Sequence, residues 1–120
     1  MIRLTGLDGS TILVAKGAIF RLRATVPSEG APAVKVEYSG GYVLTLEPLA
    51  ALLGRLHADA KLIRLTTRSG SAVYLEAGAI SRVREALAIN GPGTEIVVGG
   101  HYQHVVESVA VVEAAMAAAG

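Results

Sequence analysis

The chain opens on an alternation: Ile2 and Leu4 are apolar, Arg3 and Thr5 polar. A period of two marks a strand with one buried face. Leu7-Asp8-Gly9-Ser10 then carries the residue types of a hairpin turn, and Thr11 to Ala15 supplies the returning strand. Lys16-Gly17 interrupts it. From Ile19 to Thr25 the alternation resumes, with Phe20 and Leu22 assigned to one face and Arg21 and Arg23 to the other. Pro27 to Ala33, rich in Pro, Ser and Gly, reads as a loop. Val34 to Tyr38 and Tyr42 to Leu46 flank Ser39-Gly40-Gly41 and predict a second hairpin. After Pro48 the period changes. Leu49, Leu52, Leu53 and Leu56 recur at the spacing of an amphipathic helix, expected over 48–56.

The same pattern then returns. Ile2-Arg3-Leu4-Thr5 recurs as Ile63-Arg64-Leu65-Thr66, and at the same spacing Gly9-Ser10, Gly17-Ala18-Ile19, Arg21 and Arg23 match Gly70-Ser71, Gly78-Ala79-Ile80, Arg82 and Arg84. One residue is lost in the following loop, after which Gly40, Tyr42, Glu47 and Ala50 match Gly100, Tyr102, Glu107 and Ala110. Such aligned identities read as an internal duplication. Strands are expected near 62–67, 72–76, 79–89, 94–98 and 102–106, with a helix near 108–118. Residues 1–57 form the first repeat and 61–120 the second, joined by His57-Ala-Asp-Ala60.

The expected fold is therefore α+β and mainly antiparallel β: two tandem β-rich repeats, each ending in a short helix. A unit of about 60 residues buries too little surface to be robust alone. The repeats are thus expected to pack as one globular domain, pseudo-two-fold, around a shared core. Ile19, Leu22, Leu46, Leu49, Leu52, Ile80, Val83, Val106, Val109 and Val112 are assigned to that core.

Composition narrows the chemistry. Of 120 residues, 52% are hydrophobic, which excludes a disordered chain, and the formal net charge is +1. With no cysteine there are no disulfides or thiolate metal sites. The longest apolar stretch, from Val109, is interrupted by Glu113, so no membrane span is expected, and the first residues lack the pattern of a signal peptide. A cytoplasmic location is the expectation.

Candidate sites are few. His101 and His104 have a spacing that would place both on one face of a helix, but the local pattern is a strand, which sends them to opposite faces. No metal, no cofactor and no catalytic residue is assigned. Glu47 and Glu107 stand just before the helices, where an acid serves best as a cap. The glycines read as turns, since none leads from a strand into a helix as a phosphate loop does. The arginines are the least ordinary feature. Arg3, Arg21 and Arg23 correspond to Arg64, Arg82 and Arg84, and two guanidinium groups on one strand face can hold an anion or a partner's carboxylates. Glu37 or Glu95 across the ladder could instead neutralise them. Tyr42, Tyr102, His101 and His104 occupy hairpin positions that could line a groove between the repeats.

Met1-Ile-Arg-Leu-Thr-Gly-Leu-Asp-Gly9, followed by Val14, Ile19 and Tyr42-Val-Leu-Thr-Leu-Glu47 before a short helix, resembles the FlbD/SwrD family of small flagellar and swarming-motility proteins. Those carry one such unit, so the chain resembles two of them fused. The resemblance implies a non-enzymatic, cytoplasmic accessory role in motility. Small β units of this kind also occur in phage or virion components and in small ligand- or nucleic-acid-binding barrels, which are the alternative readings. The expected function is binding or assembly through a protein partner. Homo-oligomers are expected from the wide apolar face of the last helix, and nucleic acid is the weaker candidate partner.

Overall fold

The computed structural model of the protein describes residues 1–30, 32–57 and 60–119. It divides into two compact units, Met1–Ala60 and Lys61–Gly120. The middle of the expected linker, residues 58 and 59, and residue 31 of the expected loop lie outside the described residues.

In the first unit, β1 (Ile2–Thr5) and β2 (Thr11–Val14) form an antiparallel hairpin that pairs Leu4 with Ile12. Asp8 closes the turn by accepting from the Ser10 backbone N–H and hydroxyl. β3 (Ile19–Ala24), β4 (Val34–Tyr38) and β5 (Gly41–Thr45) form an antiparallel ladder with β4 in the middle. A bulge between Ile19 and Arg21 re-aims the chain, so that Ile19 and Phe20 are both buried despite being neighbours. The unit ends in α1 (Leu49–Leu56), which packs on β3 and buries Leu52 and Leu56.

The second unit has the same order of elements. β6 (Leu62–Thr66) pairs with β7 (Ala72–Glu76), and β8 (Ile80–Glu85), β9 (Thr94–Val98) and β10 (His101–Val105) form the ladder. The bulge recurs between Ile80 and Arg82. α2 (Val109–Ala119) packs on β6 and β8 and buries Val112. The fold is thus α+β with mainly antiparallel strands. β8 stops at Glu85, well short of the expected 89, because Ala88–Asn90 turns as a short 3-10 helix. Among the described residues no helix is long and apolar enough to cross a membrane.

Two of the expected core positions are overturned. Leu46 is 66% exposed and Val106 is 51% exposed. Both lie one residue past the end of their strand, and the inward parity belongs to Val43 and Thr45, and to Val105. The buried residue at the end of β5 is polar: Thr45 turns its hydroxyl to accept the Glu47 backbone N–H. Ile19, Leu22, Leu52 and Val112 are buried as expected, while Leu49, Ile80, Val83 and Val109 are half-buried.

The acid before α1 makes no side-chain cap. Pro48 precedes α1 with no side-chain cap, and Glu47 instead accepts from Arg55 Nη1 at 2.5 Å. Glu107 accepts the Thr66 backbone N–H at 2.9 Å, which ties β6 to the segment leading into α2.

Candidate functional site

The alternation of each ladder sorts its side chains into two faces. One face is aliphatic and buried. The other gathers the charged and aromatic residues singled out above.

In the first unit that polar face carries Arg21 and Arg23 from β3, Lys35 and Glu37 from β4 and Tyr42 from β5. Arg21 lies opposite Glu37 and meets it through two nitrogens, with Nη2 donating to Oε1 at 2.7 Å. Arg23 reaches into the following loop, where its Nη1 and Nη2 donate to the two oxygens of Glu29 at 2.7 and 2.9 Å. Lys35 approaches the same Glu29 at 3.7 Å and lies over the Tyr42 ring at 4.5 Å. Glu29 also accepts the Val26 backbone N–H. Fixed by Arg23, by that N–H and by Lys35, its carboxyl falls to about 2. Burial pushes the Glu37 carboxyl up, but the Arg21 guanidinium outweighs this, so the net shift is downward.

The second unit builds the face differently. Where β4 has Lys35 and Glu37, β9 has Glu95 and Val97. Arg84 lies opposite Glu95, and both Arg82 Nη2 and Arg84 Nε donate to Glu95 Oε1 at 3.2 Å. No loop acid corresponds to Glu29, because Asn90-Gly91-Pro92-Gly93 replaces the longer segment. The two arginine side chains are accordingly 47% and 44% exposed, against 11% for Arg21. Tyr102 is exposed, and the Arg82 guanidinium lies 5.9 Å from its ring. His104 faces Glu95 across the ladder.

Each arginine set is therefore largely neutralised within its own unit. Three cations (Arg21, Arg23, Lys35) stand with two carboxylates (Glu29, Glu37) in the first, and two cations (Arg82, Arg84) with one carboxylate (Glu95) in the second. The surplus is one positive charge per face. Arg3 and Arg64 are exposed on β1 and β6, in the other hairpin of each unit, and do not join these clusters.

The groove residues are placed unit by unit. Tyr42 is exposed beside Lys35, and Tyr102 and His101 are exposed on β10. His104 is half-buried, and its Nδ1 and Nε2 are shielded from solvent with no hydrogen-bond partner among the described residues. Sequence reasoning grouped it with His101 and missed this burial. The signal lay in Gly93, whose φ of +120° brings its backbone against His104 and leaves no room for a side chain. Among the described residues no cluster of three or more His, Asp or Glu could hold a metal ion.

No family model matches the chain, and no curated protein or solved structure matches it either.

Proposed function

We propose that this chain is a non-enzymatic assembly module, a tandem duplication of one β-rich unit that acts through protein-protein contacts. The observation that carries this reading is the pairing of Arg21, Arg23, Arg82 and Arg84 with Glu37, Glu29 and Glu95 on their own faces. Binding to a phosphate backbone draws on cations in excess, and single strands also need a stacking platform. A neutralised face with an exposed tyrosine suits a protein partner better, since Tyr and Arg are the frequent anchors of protein interfaces. The second unit's face, with Arg82, Arg84 and Tyr102 open to solvent, is the proposed contact.

The pseudo-two-fold relation, the shared core and self-association belong to the same proposal. So does the motility-associated, cytoplasmic role, which rests on the resemblance to the FlbD/SwrD family alone. If that role is right, loss of the chain impairs swarming or flagellar motility in its host and leaves growth unchanged.

The deciding experiment is a binding titration with RNA and DNA at low and high salt, using the wild type and the Arg82→Ala, Arg84→Ala double variant. No binding by the wild type is the expected result. Salt-sensitive binding that disappears in the variant would assign the face to nucleic acid and overturn the reading.

A further inference from the structure

The two units carry the same arginine pair and provide for it unequally. In the first, each guanidinium has a carboxylate of its own: Arg21 meets Glu37 and Arg23 meets Glu29, each through two nitrogens. In the second, Val97 stands at the position of Glu37, and Arg82 and Arg84 both turn to one oxygen of Glu95, each through a single nitrogen at 3.2 Å. A guanidinium carries five N–H donors and holds a carboxylate best as a two-pronged fork. Among the described residues neither Arg82 nor Arg84 makes that fork.

The missing partner of Arg84 has a definite place. Pro27–Glu29 and Ala88–Asn90 are corresponding one-turn 3-10 helices, each followed by a glycine of positive φ, Gly30 and Gly91. The first ends in Glu29, whose carboxylate takes Arg23 and the Val26 backbone N–H. Held first of all by Arg23, that carboxyl falls to about 2, which shows how firmly such a face keeps an acid. The second ends in Asn90, a neutral amide whose backbone carbonyl accepts from Arg68. The turn that delivers a carboxylate to one face delivers none to the other.

Among the described residues the remaining acids are committed or turned away. Asp8 is held by Ser10, Glu47 by Arg55, Glu76 by the Lys61 and Gly78 N–H groups, and Glu107 by that of Thr66. Glu85 lies in register with buried Thr94, on the side of the ladder away from Arg84, and Glu113 lies beside Val83, which shares that side.

We propose that the face of Arg82 and Arg84 takes a carboxylate from outside the chain: a glutamate or aspartate in an acidic segment of a partner protein, seated against Arg84 as Glu29 is seated against Arg23. The one surplus positive charge of this face matches one incoming carboxylate. Exposed Tyr102, with the Arg82 guanidinium 5.9 Å from its ring, borders the same place and offers an aromatic surface to the residues flanking that acid. A different protein is the occupant because the acids of this chain, and therefore of a second copy, are held by their own donors. The inference rests on the protein-partner reading proposed above and names the chemistry of that contact.

The test fills the place from within. Asn90→Glu restores a carboxylate where the first unit has Glu29, and Asn90→Gln adds length without charge. Arginine Nε–Hε signals are followed by NMR as hexaglutamate is added to the full chain at low salt. In the wild type the Arg82 and Arg84 signals are expected to shift while those of Arg21 and Arg23 stay. Asn90→Glu is expected to weaken that response by about tenfold, and Asn90→Gln to leave it as in the wild type. An Arg84 signal unmoved in the wild type overturns the inference, whichever variants fold. So does a response that Asn90→Glu leaves intact, or that Asn90→Gln weakens equally. Self-association that Asn90→Glu abolishes, read by light scattering, would seat a second copy on the face and overturn it as well. The two readings fail separately: hexaglutamate without effect removes this inference alone, whereas a shift of Arg84 by an oligonucleotide and not by hexaglutamate removes the protein-partner reading with it.

Discussion

Arg21 and Glu37 face each other across β3 and β4 with side chains only 11% and 8% exposed, a fork of guanidinium on carboxylate held almost out of water. Breaking a buried pair by removing one partner costs about 3 kcal/mol or more, because the remaining charge keeps its desolvation cost. Glu37→Ala is therefore expected to lower stability by about that amount in urea unfolding. Glu95→Ala, on a face where the arginines are nearly half exposed, should cost about 1 kcal/mol or less.

Acid should act through the first unit's carboxylates. Glu29 has a folded value of about 2 against an ordinary 4.5, and Glu37 is also lowered. A lowered folded value means that the unfolded chain takes up protons first. The stability these groups contribute is full above pH 4.5 and is lost as pH falls toward 2. In Glu29→Gln, unfolding free energy measured from pH 6 to pH 2 should fall less steeply than in the wild type.

His104 predicts a second, milder pH dependence. Burial lowers its pKa below 6.5, nearby Arg68 adds to this, and Glu95 opposes it. The neutral ring is the folded form, so its contribution is full above about pH 6.5 and declines below it as the unfolded chain is protonated. His104→Gln should flatten the stability profile between pH 7.5 and 5, read by denaturant midpoints. A profile equally steep in the variant would place the titrating group elsewhere.

Gly93 should not tolerate a side chain. Its φ of +120° lies in the left-handed region, and an added Cβ would run into the Val105 carbonyl and come within 3.0 Å of His104 Cε1. Gly93→Ala is expected to cost about 2 kcal/mol. Gly40→Ala shares the positive φ but meets open space. It should cost about 1 kcal/mol, from backbone strain alone.

Leu46 and Val106 make the converse test. Substituting either by Ser should change stability by less than about 0.5 kcal/mol. Leu52→Ala, at a fully buried site on α1, should cost about 2 to 5 kcal/mol.

Leu46 also marks where the sequence stops being legible. Alternation identifies a strand, but it does not say which parity faces inward when both parities are apolar, as in Tyr42-Val-Leu-Thr-Leu46. The buried position fell to Thr45 because a local N–H could satisfy its hydroxyl. Leu49, Leu52 and Leu56 placed α1 to within a residue, since helical spacing leaves little ambiguity over two turns. The arginine pairs were visible as pairs. Their neutralisation by Glu37 and Glu95 across the ladder was visible as the alternative, whereas the part of Glu29 was not, because it depends on how the following loop folds back onto Arg23. Glu47 misled for a related reason. A carboxylate before a helix has the chemistry of a cap, but Arg55 two turns later competes for it and wins.

That same Arg55 has a consequence for the order in which the chain can fold. Its guanidinium holds the carbonyl of Arg3, a residue 52 positions earlier. The first strand of the unit thus has one outward carbonyl satisfied only from the unit's helix. Within the unit this bond joins the two ends, a long-range contact of the kind that slows folding. In the second unit the corresponding tie, Glu107 to Thr66, spans 41 residues. Refolding experiments in which Arg55 is replaced by Lys would separate the two closures, since only the first depends on a guanidinium.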